Sequence, residues 1–148
     1  MTRSALPDPT LDAQFYDGVP VKRLIAWCVD VLVVAGLILL ALLASVGLLV
    51  VVFPVLAFTL NLIYRAWTVQ RWSATPGMRT VGLELRNRQG DKLSPFEAVA
   101  HSIIYILVFA TLIGALVNAV MMLVTDRGQG LHDMILGTTA INRPENGI

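Results

Sequence analysis

Residues 24–64 read LIAWCVDVLVVAGLILLALLASVGLLVVVFPVLAFTLNLIY, a run of 41 positions with a single charge, Asp30. A hydrocarbon core about 30 Å thick needs roughly 20 apolar residues in a helix. The run therefore holds two spans and is far too long for one buried helix of a soluble domain. The aspartate is its anomaly. A carboxylate at membrane depth costs on the order of 2.5–3.5 kcal/mol on insertion scales, so it must be paired or functional.

Composition agrees. The apolar fraction is 56% and the charged fraction 14%, where soluble domains run nearer 25% charged. The mean hydropathy is +0.72. The chain reads as an all-α integral membrane protein of one small domain. The opening residues are polar, with Asp8, Asp12 and Asp17 against Arg3. The apolar run behind them is too long for the core of a signal peptide, so an uncleaved tail over residues 1–19 is expected. The lone Cys28 lies in the first apolar run and has no intrachain partner; it reads as a packing residue.

Outward from the run, the first segment covers about residues 21–43 and starts at Pro20, a residue suited to a first helical turn. The second covers about 47–64, with Pro54 as a kink. The short link at Ala44-Ser45-Val46-Gly47 makes them an antiparallel hairpin. Trp67 and Trp72, with Arg65 and Arg71, read as an interfacial belt and a short surface helix. Residues 80–86 alternate as a strand, and 87–91 supply turn residues, giving a small β-hairpin element. Ser94-Pro95-Phe96-Glu97 opens the third segment with a capping box. That segment, 96–124, either crosses once or breaks near Gly114 and returns. The pattern at 137–141 is a short strand whose natural partner is 80–86. Residues 143–148 form a C-terminal tail.

Six of the eleven Lys and Arg lie in the loop between the second and third segments. Positive residues in short loops mark the cytoplasmic side, which places that loop, and Lys22-Arg23, in the cytoplasm. The arginines are dispersed and flank membrane segments, so they point to lipid headgroups and not to nucleic acid.

Three stretches together resemble the RDD family of small bacterial membrane proteins, named for one arginine and two aspartates. They are Lys22 to Asp30, Thr75 to Leu83, and Asp126 to Asp133 followed by Gly137-Thr138. By this resemblance Arg23, Asp30 and Asp133 are the naming residues. Pro76 and Met78 stand where the family usually has a plainer apolar residue and a second basic one. The resemblance implies a membrane domain over residues 20–142 in a bacterial cytoplasmic membrane. Its implied activity is transport-related, with monovalent cation/proton exchange linked to some members.

Arg23 and Asp30 lie two helical turns apart on one face, roughly 10 Å along the axis, too far for a direct pair. Asp30 then needs another partner: Arg79, His101 or Arg127, with Asn61 or Asn118 as hydrogen-bond donors. Two readings stand, a proton- or cation-binding carboxylate or an ion-pair clamp between the hairpin and the cytoplasmic segments. His132-Asp133 is a proton relay or a tight structural turn in which Asp133 caps backbone amides; adjacent side chains make no metal site by spacing. His101 reads as a packed residue. No catalytic order, metal spacing or phosphate loop is present, so no enzyme, cofactor or metal is expected. Three segments hardly enclose a polar path, so transport of H⁺ or a monovalent cation requires a homo-oligomer. The competing class is a non-catalytic module that holds a partner protein at the membrane.

Overall fold

The computed structural model describes residues 6–144; the ends of both tails lie outside them. Six helices and two strands follow in order: α1 (Val19–Ala44), α2 (Phe53–Trp72), α3 (Pro76–Thr80), β1 (Leu83–Arg86), α4 (Pro95–Phe109), α5 (Leu112–Val124), α6 (Leu131–Leu136) and β2 (Thr139–Asn142). The α1–α2 hairpin supplies two helices long and apolar enough to cross a membrane, the second counted with the 3-10 stretch before it.

Several local expectations shift. Pro54 does not kink the second segment; it sits in the first turn of α2, behind a 3-10 stretch at Leu48–Val52, where its missing N–H costs nothing. The helix does not stop at Tyr64. It runs on through both tryptophans to Trp72, so the separate surface helix expected there is the last two turns of α2. It ends on Ser73, whose φ of 50° turns the chain. The Ser73 carbonyl takes Leu85 N at 2.6 Å and its hydroxyl takes Leu93 N at 3.0 Å.

The capping box forms as read: Ser94 and Glu97 each accept the other's backbone N–H. The third segment does break, but at Ala110–Thr111, three residues before Gly114, with Thr111 capping α5 through Gly114 N. The chain bends by 115° between the two halves. At 15 and 13 residues they extend about 22 and 20 Å, each short of a full crossing. Both limbs are tied to α6, α4 through His101 to Asp133 and α5 through Asn118 to Leu131, so the pair folds back.

The sheet is not a local hairpin across the 87–91 turn. β1 pairs antiparallel with β2, Leu83 opposite Asn142 and Arg86 opposite Thr139. Asn142 also accepts from Lys22 Nζ at 2.6 Å. The start of α1, the end of α2, the sheet and α6 thus gather at one end. The apolar core lies there, around Val19, Val69, Met78, Leu83, Leu85 and Ala140. Away from that end the distribution inverts. Leu32, Leu40, Leu43 and Val51 are exposed while Asp30, Arg65, His101 and Asn118 are buried, the arrangement of a chain whose solvent is lipid.

Candidate functional site

Two buried carboxylates organise the polar interior. Asp30 projects from α1 onto the start of α3. Its Oδ1 accepts from Tyr64 Oη at 2.7 Å and from Gly77 N at 2.8 Å. Its Oδ2 accepts from Thr75 Oγ1 at 2.5 Å. Thr75 caps α3 and Pro76 fills its first turn. Gly77 then lets α1 approach: a Cβ there would lie 2.2 Å from Ala26 O and 2.7 Å from Asp30 Oδ1. The nearest cation among the described residues is Arg65, with Nη1 3.9 Å from Asp30 Oδ2. The Arg65 guanidinium lies over the Tyr105 ring, 3.5 Å from its centre.

None of the partners expected for Asp30 reaches it. Arg79 is exposed and stacks on Trp72. The carbonyl of Arg127 takes the Thr139 hydroxyl. Asn61 borders a cavity beside Asp30 without bonding it. His101 bonds the second carboxylate, and Asn118 bonds His132 beside it. The reason is position along the bundle: Arg65 and Tyr64, on the returning helix, face Asp30 directly, and α3 folds under it.

Asp133, on α6, is the second centre and is fully buried. Arg23 Nη2 lies 2.6 Å from its Oδ2. His101 Nε2–H donates to Oδ1 at 3.1 Å, and Gly130 N donates to Oδ2 at 3.1 Å. Thr138 Oγ1 adds a further bond at 3.1 Å. The amide-capping turn expected at Asp133 therefore exists, with a long-range ion pair added. His132 Nδ1 lies 2.8 Å from Asn118 Oδ1 and its Nε2 lies 3.1 Å from Arg23 Nη2. A guanidinium only donates, so these partners assign the neutral ring with its proton on Nδ1. Burial pushes the His132 pKa well below its usual value, and Arg23 adds to that against the pull of Asp133. Burial, the largest influence, would raise the Asp133 carboxyl, but Arg23 together with His132 and His101 outweighs it and holds the carboxyl well below the usual range.

Tyr105 joins the two centres. One face carries Arg65, and its ring meets His132 edge-on at 5.3 Å between centres. His101, His132 and Asp133 bring three ligand-type atoms within 4.8 Å of one another. Arg23 already lies against two of them, so a metal ion would have to displace a guanidinium. The arrangement is a carboxylate with a resident cation.

Two cavities meet at the Asp30–Arg65 pair. One of about 390 Å³ lies between α1 and α5, from Pro20 to Leu123. The other, about 320 Å³, lies further along α1 beside Val31, Ala35 and Ile38. Both are bordered by Trp27, Asp30, Arg65, Tyr105 and Phe109.

The three stretches that carry the family's naming residues thus close one interior. The RDD family model matches residues 18–137, most of the chain. This protein belongs to the RDD family. Searches of curated proteins and of solved structures each return no match. In this RDD protein the arginine and second aspartate form one buried pair, and the first aspartate holds the Thr-Pro-Gly turn. Arg65, Tyr64 and Tyr105 were missed by sequence reasoning. Arg65 and Tyr64 end an apolar run and look like ordinary interface residues, and no periodicity links them to Asp30. Thr75-Pro76-Gly77 carried a readable helix-start signal but nothing to say that a carboxylate would dock on it.

The state of His132 makes stability depend on pH. Its folded pKa is depressed, so the unfolded chain takes up a proton below about pH 6.5 that the folded chain refuses. Stability is complete above that pH and falls below it, by up to about 1.4 kcal/mol per pH unit. Asp133, also depressed, changes nothing until pH falls toward the ordinary carboxylate range near 3.9. Thermal unfolding in detergent between pH 7 and pH 5 should show the loss, and His132→Asn should reduce it. An unchanged slope in that variant would remove His132 from the account.

Proposed function

We propose that this RDD protein is a small multi-pass transport-type protein of the bacterial cytoplasmic membrane, working as a homo-oligomer on protons or a monovalent cation. The observation that supports the reading most is the meeting of two cavities at Asp30 and Arg65. They lie at successive depths along α1. Arg23 to Ile38 covers about 22 Å of helix, with a buried carboxylate between. Arg65 occupies the cation position loosely, at 3.9 Å, so a passing cation at Asp30 would exchange with a resident one. Buried ionisable groups in membrane segments are functional by default.

The topology that goes with this places the start of α1, the 73–94 loop and β2 in the cytoplasm. α1 and α2 cross, and α4–α5 enters and returns. The pairing of β1 with β2 supports an even number of crossings between them, and the arginines of the loop support the side. An oligomer is invoked because so few segments do not surround a polar path. No catalytic step is assigned.

A second reading has its own support. Asp30 accepts three hydrogen bonds, two of them from the Thr75–Gly77 turn, as a clamp in a non-catalytic assembly module would. Proteoliposomes loaded against Na⁺, K⁺ and H⁺ gradients separate the two. In the transport reading, Asp30→Asn folds and its flux drops to that of empty liposomes. Wild-type protein that moves none of the three ions leaves the module.

A further inference from the structure

Arg65 is 6% exposed, yet its guanidinium is poorly satisfied. Its Nε is buried without a hydrogen-bond partner among the described residues. Its contact with Asp30, at 3.9 Å, is beyond hydrogen-bond reach. Tyr64, Thr75 and Gly77 take three of the roughly four lone-pair sites of Asp30, so Asp30 cannot satisfy the whole guanidinium. Stacking on Tyr105 uses the face of the guanidinium and leaves its in-plane N–H groups free. Unpaired donors on a buried charge are costly. Nearby, Asn118 Nδ2 finds only Met122 Sδ, at 4.0 Å.

Both donors border the cleft of about 390 Å³ between α1 and α5. Asp30 and Arg23, each already held by its own partners, also border it at this polar end; the rest of the wall is apolar, with Leu24, Trp27, Phe109, Leu116 and Leu123 among it. α5 packs on α4 and α6, and towards α1 it presents the small residues Ala115 and Ala119 across this space. The site therefore has one polar end, where Arg65 holds donors that Asp30 does not satisfy, and hydrocarbon along the rest of its length. Its complement is an oxyanion on an apolar body.

We propose that this cleft binds a single-chain carboxylate amphiphile of the fatty-acid class, its carboxylate on Arg65 and its chain along the apolar wall. A planar carboxylate matches the guanidinium fork in two parallel bonds. Depth favours a free acid over a phospholipid. Arg65 lies seven residues inside the end of α2 at Trp72, about 10 Å along the axis. A carboxylate joined directly to its chain reaches that level, whereas a phosphate headgroup belongs at the surface. The binding assignment is additional to the cation reading, and it is measured by equilibrium binding without any flux.

Trp27 borders the cleft and is one of three tryptophans. With Trp67→Phe and Trp72→Phe it becomes the only reporter. In nanodiscs of zwitterionic phosphatidylcholine at pH 8, 11-bromoundecanoate should quench it saturably. Arg65→Gln should weaken that binding about tenfold or more. Ala119→Leu fills the cleft from the opposite wall and leaves Arg65 untouched; it should abolish saturable quenching while the thermal unfolding temperature holds. Quenching that only rises linearly with added acid would overturn the proposal, as would unchanged binding in Ala119→Leu. Saturable quenching by a chain-brominated phosphatidylglycerol that the acid fails to displace would overturn it too, giving the cleft to a bilayer lipid.

Discussion

Arg23→Gln is expected to destabilise the protein by about 3–5 kcal/mol, the usual result of leaving a buried charge without its partner. Arg23 Nη2 stands 2.6 Å from Asp133 Oδ2, with the two side chains 9% and 0% exposed. Glutamine keeps a donor and much of the length but removes the charge. Asp133 would then be left with neutral donors from His101, Gly130 and Thr138. Those bonds do not offset the desolvation of a full carboxylate. Arg23 also donates to His132 Nε2, so the histidine loses its partner in the same step. The double variant Arg23→Gln/Asp133→Asn removes both charges and should recover much of the loss. Thermal unfolding in detergent, read as a double-mutant cycle, measures this. A single variant within about 1 kcal/mol of wild type, or a double variant no better than the single, would show that the pair carries little.

Gly77→Ala should cost about 2–3 kcal/mol, at the upper end for overpacking a well-filled site. The added Cβ would meet Ala26 O at 2.2 Å and Asp30 Oδ1 at 2.7 Å. Neither is the free end of a flexible chain: one is helix backbone and the other belongs to a carboxylate held by three hydrogen bonds. α3 would have to lift off α1, and Asp30 would lose the bond from Gly77 N. Gly36→Ala is the matched control. It lies inside α1 with nothing within 4 Å of a new Cβ, and alanine is the better helix former by roughly 1 kcal/mol. It should be no less stable than wild type. Equal losses at both glycines would mean that close packing at Gly77 is not the cause.

Legibility differed between these residues for physical reasons. The capping box at Ser94 and Glu97 is local, three residues apart, so its chemistry is complete within the sequence. The burial of Asp30 follows from one charge in an apolar run of 41 positions, because lipid leaves it no other stable place. Its partners do not follow. Tyr64 and Thr75 are 34 and 45 residues away along the chain, and only the hairpin and the fold of α3 bring them in. The expected candidates Arg79 and Arg127 are as basic as Arg65, and nothing along the chain ranks one of the three above another.

The His101–His132–Asp133–Arg23 cluster shows the same division. Adjacent His132 and Asp133 have no metal spacing, and the third and fourth members arrive from α4 and α1. The sequence alone determined that this is a helical membrane protein of the RDD pattern, with a hairpin, a third apolar segment and two carboxylates to account for. Hydropathy and capping act over a few residues and are written in order along the chain. Tertiary structure alone decided which cation each carboxylate holds, that β1 pairs with β2 across the whole domain, and that Arg65 faces a cleft with donors to spare. Those outcomes depend on which helix faces meet, and packing sets that between residues the sequence keeps far apart.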